Sequence, residues 1–300
     1  MGKLKIGYFA DGPWSHQAFE NMQASGLVEF AFITPRYDTK DTRLKEYAQK
    51  HGIDYILTPN VNSSDYLVKV SSYNCDLFVS MSFNQIFRKN VIDIPKYKTI
   101  NCHAGKLPFY RGRNILNWAL INDEKEFGIT VHYVDEGIDT GDIILQRTYP
   151  ITEEDNYKSL LEVAYVECAK ILLEAVLMFQ QGPVKGVDQK TIHPVGMYCG
   201  MRGIGDELID WNQSSREIFN FVRAICRPGP MAISYLDGNE IKINQVRTIA
   251  EAPVYKGKPG QILCKTKEGS FLVKTKDSFV ELLEYEGKLR VGKMLKSKES

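Results

Sequence analysis

The stretch from Ile100 to Arg113, INCHAGKLPFYRGR, places Asn101 and His103 two residues apart. The apolar run before them predicts a buried strand, TINCH, and residues two apart on a strand share one face of a sheet. A histidine can act as a general base near neutral pH, and an asparagine can donate a hydrogen bond to a carbonyl oxygen that becomes negative. The pair therefore has the groups needed for chemistry at a carbonyl carbon, although Asn-x-His alone is equally typical of the polar end of a structural strand.

A third group is needed to orient the histidine and raise its basicity, and that group is usually a carboxylate. The turn DEGIDTGD carries four acidic residues and joins two predicted strands, FGITVHYV and DIILQRTYPI. Asp139, inside this turn, is the best-placed candidate. The same turn could also be a plain exposed hairpin loop or a cation site.

The first half of the chain alternates short apolar runs with stretches of helical spacing. Because they are brief and rich in β-branched and aromatic residues, the runs LKIGYFA, VEFAFIT, YILTP, DLFVSMSF and TINCH are predicted to be buried strands. Helices are predicted over 13–25, 42–51 and 64–73. This order predicts an α/β domain with a mostly parallel sheet, whose ligands bind at the carboxyl ends of the strands. A nicotinamide or flavin dinucleotide is disfavoured because the first strand is not followed by GxGxxG.

The second half changes character after a long predicted helix, from about Asn156 to Gln181, that Gly182 and Pro183 end. Residues 184–207 are irregular and Gly-rich, as in a linker. A short helix begins at Ser214 or Ser215, and alternating strands with the turns DGN, KPG and KEG follow from Met231. These strands predict a small antiparallel barrel or sandwich. The predicted domains are 1–183 and 208–300, joined by the linker 184–207.

Composition narrows the class of protein. The chain has 38 basic and 37 acidic residues and a formal charge of +1, so no strong overall field attracts it to nucleic acid or to a membrane. Six cysteines lie far apart without metal-ligand spacing, which argues against a zinc site. No apolar run has membrane-spanning length. We therefore expect a reduced, cytoplasmic protein without a metal, whose oligomeric state is open.

Two segments together carry a family resemblance. NCHAGKLPFYRGR and, downstream, ITVHYVDEGIDTGDII resemble the signature of the enzymes that transfer a formyl group from N10-formyltetrahydrofolate. The matching positions are Asn101, His103, Leu107, Pro108, Arg111, Gly112, Asp135, Gly137, Asp139, Thr140 and Gly141. The resemblance implies a Rossmann-like formyltransferase domain for about residues 1–183. The later segment PGQILCKTKEGSFLVKT is similar to the OB-like barrel that forms the C-terminal domain of these relatives.

The resemblance also implies roles for individual residues. Asn101 and protonated His103 would stabilise the tetrahedral oxyanion, His103 or a bound water would handle the proton, and Asp139 would sustain the charged imidazole. Arg113 matches an arginine with a formyl-folate role in a UDP-sugar relative, but it can also be a surface residue at a helix start. The residues implied to bind the folate co-substrate are Met81, Ser82, Gln85, Ile86, Arg113, Asp135, Glu136, Gly137, Ile138 and Asp139.

The acceptor is a separate question. The segment after the second strand, PRYDTKDTRLKEYAQKHG, is short and carries both charges, whereas methionyl-tRNA formyltransferases have a basic, Gly-rich insertion there. The C-terminal barrel argues against a glycinamide ribonucleotide acceptor. We therefore expect the primary amine of a nucleotide-linked amino sugar, as in lipopolysaccharide biosynthesis, with RGRNILNW shared with the UDP-aminoarabinose enzyme. The alternatives are methionyl-tRNA as acceptor, and a catalytically inactive module that binds folate or nucleotide.

Overall fold

The structure, a computed structural model, describes residues 2–297, which form two compact units. The first unit comprises the chain up to Gly112 together with 127–149 and 162–199. The second comprises 113–126, 150–161 and the chain from Gly200 onward. No described helix is both long and apolar enough to cross a bilayer. The domain limits drawn from the sequence stay predictions.

The first unit is built on a seven-stranded sheet. Its strands are β1 (Leu4–Ala10), β2 (Val28–Thr34), β3 (Asp54–Tyr55), β4 (Leu77–Met81), β5 (Thr99–His103), β7 (Glu126–Tyr133) and β8 (Ile143–Pro150). The strand order is β3-β2-β1-β4-β5-β7-β8. The pairs among β1 to β5 are parallel, and β5 pairs with β7 in the antiparallel sense. The alternation of apolar runs and helical segments predicted this mostly parallel sheet, and the family resemblance implied its Rossmann-like class; both are confirmed.

Helices connect these strands because their apolar positions recur with helical spacing. They are α1 (Pro13–Ala24), α2 (Arg43–His51), α3 (Ser64–Ser71), α4 (Lys89–Ile92) and α6 (Tyr157–Met178). Gly52 ends α2 in the left-handed conformation, with φ of +66°, which glycine adopts without a Cβ clash. The predicted bounds of α1, α2, α3 and α6 agree with the structure to within a few residues, whereas α4, which is too short to show a helical period, was not predicted.

Strand β4 shows why the strands of this sheet have continuous apolar sequences. All five of its residues are buried, since helices cover both faces of a parallel sheet. Phe9, Phe32 and Phe78 pack edge to face on three neighbouring strands, with ring centroids 5.2 to 5.6 Å apart. Burying each such side chain contributes about 1.5–3 kcal/mol, which makes this sheet a rigid support for the residues at its ends.

One predicted strand is wrong in extent. YILTP was expected to be a full strand, but β3 contains only Asp54 and Tyr55. The side chain of Gln85 binds the backbone beyond it: its Nε2 donates to the carbonyl of Thr58 and its Oε1 accepts from the N–H of Val61, both at 2.9 Å. These backbone groups are therefore used by a side chain instead of a neighbouring strand.

A short ladder outside the main sheet lies close to the end of β5. Strands β6 (Arg111–Gly112) and β9 (Tyr198–Cys199) pair in parallel, with Arg111 opposite Tyr198. A Cβ at position 112 would collide with the carbonyl of Cys199, and Gly112 has φ of +100°, so only glycine fits there. Part of the segment interpreted as a linker therefore packs within the first unit.

The second unit contains α5 (Ile115–Ile121), α7 (Ser215–Ile225) and an antiparallel sheet. The sheet has the order β10-β11-β14-β13-β12. The sequence predicted a helix start at Ser214 or Ser215, and the structure shows Ser214 capping α7 in a capping box with Glu217. The strands are β10 (Ala232–Leu236), β11 (Asn239–Thr248), β12 (Ile262–Lys265), β13 (Phe271–Lys274) and β14 (Phe279–Glu286).

The two edge strands of this antiparallel sheet are bridged by one segment. Met294 pairs with Gln261 beside β12, and Lys296 pairs with Tyr235 in β10. Tyr235 and Lys296 exchange two backbone hydrogen bonds of 2.9 Å. The bridges connect both edges, as in a closed sheet. The OB-like class of this barrel stays a prediction.

Candidate active site

His103 is the last residue of β5 and its side chain is about one-tenth exposed. Its Nε2 lies 2.7 Å from the carbonyl oxygen of Tyr110. A carbonyl only accepts, so Nε2 carries a hydrogen and donates it. Nδ1 is consequently the nitrogen that can gain or lose a proton. The loop is close enough for this bond because position 105 is glycine: a Cβ there would collide with the His103 ring and with the Tyr110 carbonyl.

Asp139 faces His103 from the acidic turn. Its Oδ2 lies 3.7 Å from Nδ1 of His103, close enough for charge attraction but too long for a direct hydrogen bond. The same oxygen accepts from the N–H of Gly112 at 2.9 Å. Asp139 has φ of +54°, and this left-handed conformation costs a non-glycine residue about 1–2 kcal/mol. The surroundings therefore hold Asp139 against a local backbone preference.

The charge state of Asp139 follows from its neighbours. Burial alone would raise the pKa of this carboxyl, but the charges of His103 and His132 outweigh burial, and hydrogen bonds from His132 and from the Gly112 N–H add to them. The pKa of Asp139 therefore lies well below its ordinary value. Asp139 is a carboxylate under all ordinary conditions, and it can stabilise a positive imidazole at its side.

A second histidine joins Asn101 to this group. His132, on β7, is paired with Asn101 across the antiparallel ladder, and its side chain is 3% exposed. Its Nδ1 donates to the carbonyl of Tyr133 at 2.7 Å. Its Nε2 lies 3.3 Å from Nδ2 of Asn101 and 3.5 Å from Oδ1 of Asp139. A neutral Nε2 accepts from Asn101, whereas a protonated one donates to Asp139.

The structure thus brings Asn101, His103 and Asp139 into one group, as the sequence predicted, and adds His132, which sequence reasoning missed. In the sequence His132 stands two residues after Thr130 in the otherwise apolar run FGITVHYV. The sequence indicated His132 only through the alternation of residues in this strand. Matching its inward face to TINCH requires the register between β5 and β7, which the sequence does not show. Asn101 keeps its second N–H for another partner.

The residues predicted to contact folate at the end of β4 differ in exposure. Met81 is buried at 1% exposure, and Ser82, with φ of +55°, turns the chain away from the strand. Both the nitrogen and the oxygen of the Gln85 side-chain amide form hydrogen bonds with the backbone of Thr58 and Val61. Ile86 is 68% exposed. Of these, Ile86 offers apolar surface and Gln85 shapes the loop.

The acidic turn adjoins this segment. Asp135 accepts hydrogen bonds from the N–H of Gly137 at 3.1 Å and from the hydroxyl of Thr140, which close the turn. The pKa of Lys89, at the start of α4, is raised by the hydrogen bond and charge of Asp93 and, less strongly, by Glu136. Ile138 is 57% exposed. Ile86 and Ile138 are therefore both exposed apolar side chains, and their contact with folate stays a prediction.

Arg113 has a different environment. It belongs to the second unit, where its Nη1 lies 3.4 Å from the sulfur of Met201. Its role toward folate stays a prediction. Among residues 2–297 no cluster of three or more His, Cys, Asp or Glu side chains could hold a metal ion.

Comparison with known proteins places this arrangement in a class. The sequence matches the formyl transferase family over residues 8–176 and the formyl transferase C-terminal domain over residues 205–298. The chain belongs to the formyltransferase family, whose co-substrate is formyl-tetrahydrofolate. It is an enzyme that transfers a formyl group.

Two relatives of similar sequence are methionyl-tRNA formyltransferases. The chain is 36% identical to the methionyl-tRNA formyltransferase of Geotalea uraniireducens over 249 residues, 83% of this chain and 77% of that protein. It is 35% identical to the enzyme of that name from Fusobacterium nucleatum, over 77% of this chain and 76% of the relative.

Among solved structures, the sugar 3N-formyl transferase WlaRD, determined with dTDP and 5-N-formyl-THF, has a TM-score of 0.70 at 21% identity, over 96% of this chain and all of that one. An N-formyltransferase from Helicobacter canadensis, in complex with folinic acid and dTDP-3-aminofucose, has a TM-score of 0.68 at 20% identity, over 94% and 100% of the two chains. At this identity the likeness establishes the shared fold.

The lowered pKa of Asp139 gives a prediction about acid stability. A carboxyl whose pKa is lower in the folded than in the unfolded chain, where it is about 3.9, contributes stability above that value and loses it as pH falls. Wild-type protein should therefore lose more unfolding free energy between pH 5 and pH 3 than Asp139→Asn does. Urea denaturation at several pH values measures this difference.

The matched control for this measurement is Glu268→Gln, which changes an exposed carboxyl in the turn between β12 and β13. That variant should follow the wild-type pH dependence. Equal acid dependence of wild type and Asp139→Asn would show that Asp139 has the same proton affinity in the folded and unfolded chain.

Proposed function

We propose that this enzyme transfers the formyl group of N10-formyltetrahydrofolate to the amino group of a methionyl-tRNA, at a reaction centre formed by Asn101, His103 and Asp139. The observation that carries the reaction centre is the connected group at the end of β5. In it, one imidazole nitrogen is fixed by a carbonyl, and the other faces a carboxylate held 3.7 Å away. The folate supplies the formyl group as an amide-like carbonyl, and the acceptor supplies a primary amine.

Each residue has a defined task in this proposal. The amine attacks the formyl carbon, and the carbonyl oxygen becomes an oxyanion. The free N–H of Asn101 donates to that oxyanion, and Nδ1 of His103, when protonated, adds a charged donor. Asp139 keeps the protonated imidazole favourable. Proton transfer from the amine to the departing nitrogen passes through Nδ1, because Nε2 is committed to Tyr110.

The identity to methionyl-tRNA formyltransferases supports the tRNA acceptor. These relatives are 33–36% identical over 73–83% of the chain, whereas the solved sugar enzymes are 20–22% identical. Charge distribution agrees: residues 208–300 contain sixteen Lys and Arg against eleven Asp and Glu. A basic C-terminal part suits a polyanionic acceptor even though the chain as a whole is nearly neutral.

A nucleotide-linked amino sugar is the second candidate, and the segment after β2 favours it. Basic residues there are occupied by neighbouring acids: Arg36 pairs with Asp38 at 3.3 Å, and Arg43 pairs with Glu20 at 3.1 Å. Such pairs reduce the charge available to a phosphate backbone. This agrees with the absence of a basic, Gly-rich insertion and with a small acceptor.

An acceptor panel tests the proposal. Purified protein is incubated with radiolabelled N10-formyltetrahydrofolate and either charged initiator tRNA or dTDP-, UDP- and GDP-linked amino sugars. We expect formyl-methionyl-tRNA, with kcat/KM that falls steeply as salt rises from 50 to 200 mM, because counterions are released on binding. Formylation of an amino sugar alone would overturn the tRNA acceptor. Folate binding without transfer to any amine would identify an inactive module.

A further inference from the structure

Gln189 is the most completely bonded polar side chain near the proposed reaction centre. It begins a short 3-10 turn, Gln189–Thr191, and is 1% exposed. Its Nε2 donates to the carbonyl of Asp139 at 2.9 Å and to the carbonyl of Gly141 at 2.7 Å. The two N–H groups of one amide therefore hold both sides of the turn that carries Asp139.

The other end of the same amide is held by Arg111. Oε1 of Gln189 accepts from Nε and Nη2 of Arg111, at 3.1 and 2.6 Å. Arg111 is 5% exposed, and its Nη1 donates to the carbonyl of Val195 and to the hydroxyl of Tyr198. Its guanidinium also lies 5.2 Å from the Tyr198 ring centroid.

This buried cation has only neutral partners among these contacts, so it does not neutralise a carboxylate. Its forked donors instead fix the orientation of the Gln189 amide, because a guanidinium imposes a rigid geometry on what it binds. The residue after Arg111, Gly112, donates its N–H to the carboxylate of Asp139. Asp139 is thus held at its carbonyl by Gln189 and at its side chain by the residue next to Arg111.

We propose that Gln189, anchored by Arg111, is the positioning residue that keeps Asp139 in its left-handed conformation with the carboxylate facing His103. The inference rests on the proposed role of Asp139, and it holds for either acceptor. Gln189 itself touches neither substrate nor reacting atoms. Its effect on turnover passes through Asp139.

Two substitutions distinguish the tether, which is the pair of hydrogen bonds from Gln189 to the Asp139 and Gly141 carbonyls, from the anchor, which is the pair from Arg111 to Gln189. Gln189→Met keeps the length and removes all four hydrogen bonds. Gln189→Glu keeps an acceptor for Arg111 but replaces the two donors with an oxygen that faces the carbonyls of Asp139 and Gly141. Since small misplacements of catalytic groups cost up to about 100-fold, we expect both variants to lower kcat about 10- to 100-fold. The KM for formyl-tetrahydrofolate should change less than about threefold.

A double-mutant cycle with Asp139→Asn gives the decisive measurement. If Gln189 acts through Asp139, adding Gln189→Met to Asp139→Asn should lower kcat by less than about twofold further. If the double variant instead loses kcat by the product of the two single-variant factors, the proposal is overturned. A wild-type kcat in Gln189→Glu would also overturn it. Wild-type kcat in Asp139→Asn alone would refute the role of Asp139 and not the tether. Gln189→Glu retains the anchor and serves in place of Gln189→Met if that variant does not fold.

The matched control is Gln146→Met. Gln146 also donates two hydrogen bonds, to the carbonyl of Leu107 at 2.9 Å and to the hydroxyl of Thr130 at 2.8 Å, without touching Asp139. It should lower the melting temperature about as much as Gln189→Met does and leave kcat within about threefold of wild type. An equal loss of kcat in Gln146→Met would mean that Gln189 contributes only general stability.

Discussion

Replacing His103 with glutamine is expected to lower kcat by about 100- to 10,000-fold, the range that a positioned acid or base contributes. Glutamine can still donate to the carbonyl of Tyr110, as Nε2 does now at 2.7 Å, so the loop keeps its anchor. It cannot take up a proton where Nδ1 faces Asp139. The loss of kcat therefore reports the contribution of proton transfer and charge at His103, separately from its contribution to the loop structure. Single-turnover formyl transfer at saturating folate measures it.

His51→Gln is the control for this substitution. His51 is exposed at the end of α2, where its Nδ1 lies 3.4 Å from Gln23, and it should keep wild-type turnover. A His103→Gln enzyme with turnover near wild type would show that the proton moves through solvent and that His103 only supports the loop. Folate binding, measured by fluorescence, should change little in either variant.

Asn101→Leu is expected to lower kcat by about 100- to 1000-fold, because it removes a donor aimed at the developing oxyanion. Leucine has nearly the same volume, so β5 and its neighbours should keep their packing. The substitution also leaves Nε2 of His132 without its 3.3 Å partner. Of the two groups near that nitrogen, the Asp139 carboxylate at 3.5 Å then remains.

Asn117→Leu separates stability from catalysis in this experiment. Asn117 is 5% exposed and donates to the carbonyl of Ala224 within the second unit. Its loss should cost about 1–3 kcal/mol of unfolding free energy and leave kcat unchanged. If Asn101→Leu behaves in the same way, losing stability without losing kcat, the amide is structural and the oxyanion is stabilised by other donors.

Much of the first unit could be predicted from sequence because its strands are buried on both faces and its helices have clear periodicity. The apolar runs gave four of the five early strands. The capping box at Ser214 was readable because Glu217 stands three residues later. Asn101, His103 and Asp139 were candidates from their residue types and spacing, and the family resemblance favoured them over a structural strand end.

The remainder depended on tertiary contacts that no local pattern encodes. The third predicted strand is mostly irregular because the amide of Gln85 satisfies its backbone. His132 could be placed beside Asn101 only through the antiparallel register of β5 and β7. Gln189 lies in an irregular, Gly-rich stretch that indicates a linker, and its importance comes from two carbonyls distant in sequence.

The bridging of the antiparallel sheet by residues 294–296 has a consequence for synthesis. Both edges of that sheet, at β10 and β12, pair with a segment that follows every strand in the chain. Residues 207–209 already bind Ile233 on the β10 edge, but until residues 294–296 have left the ribosome, Tyr235 in β10 and Gln261 beside β12 lack these partners. The second unit therefore completes its sheet last, through contacts of long sequence separation, which makes it the slow and aggregation-sensitive part of folding.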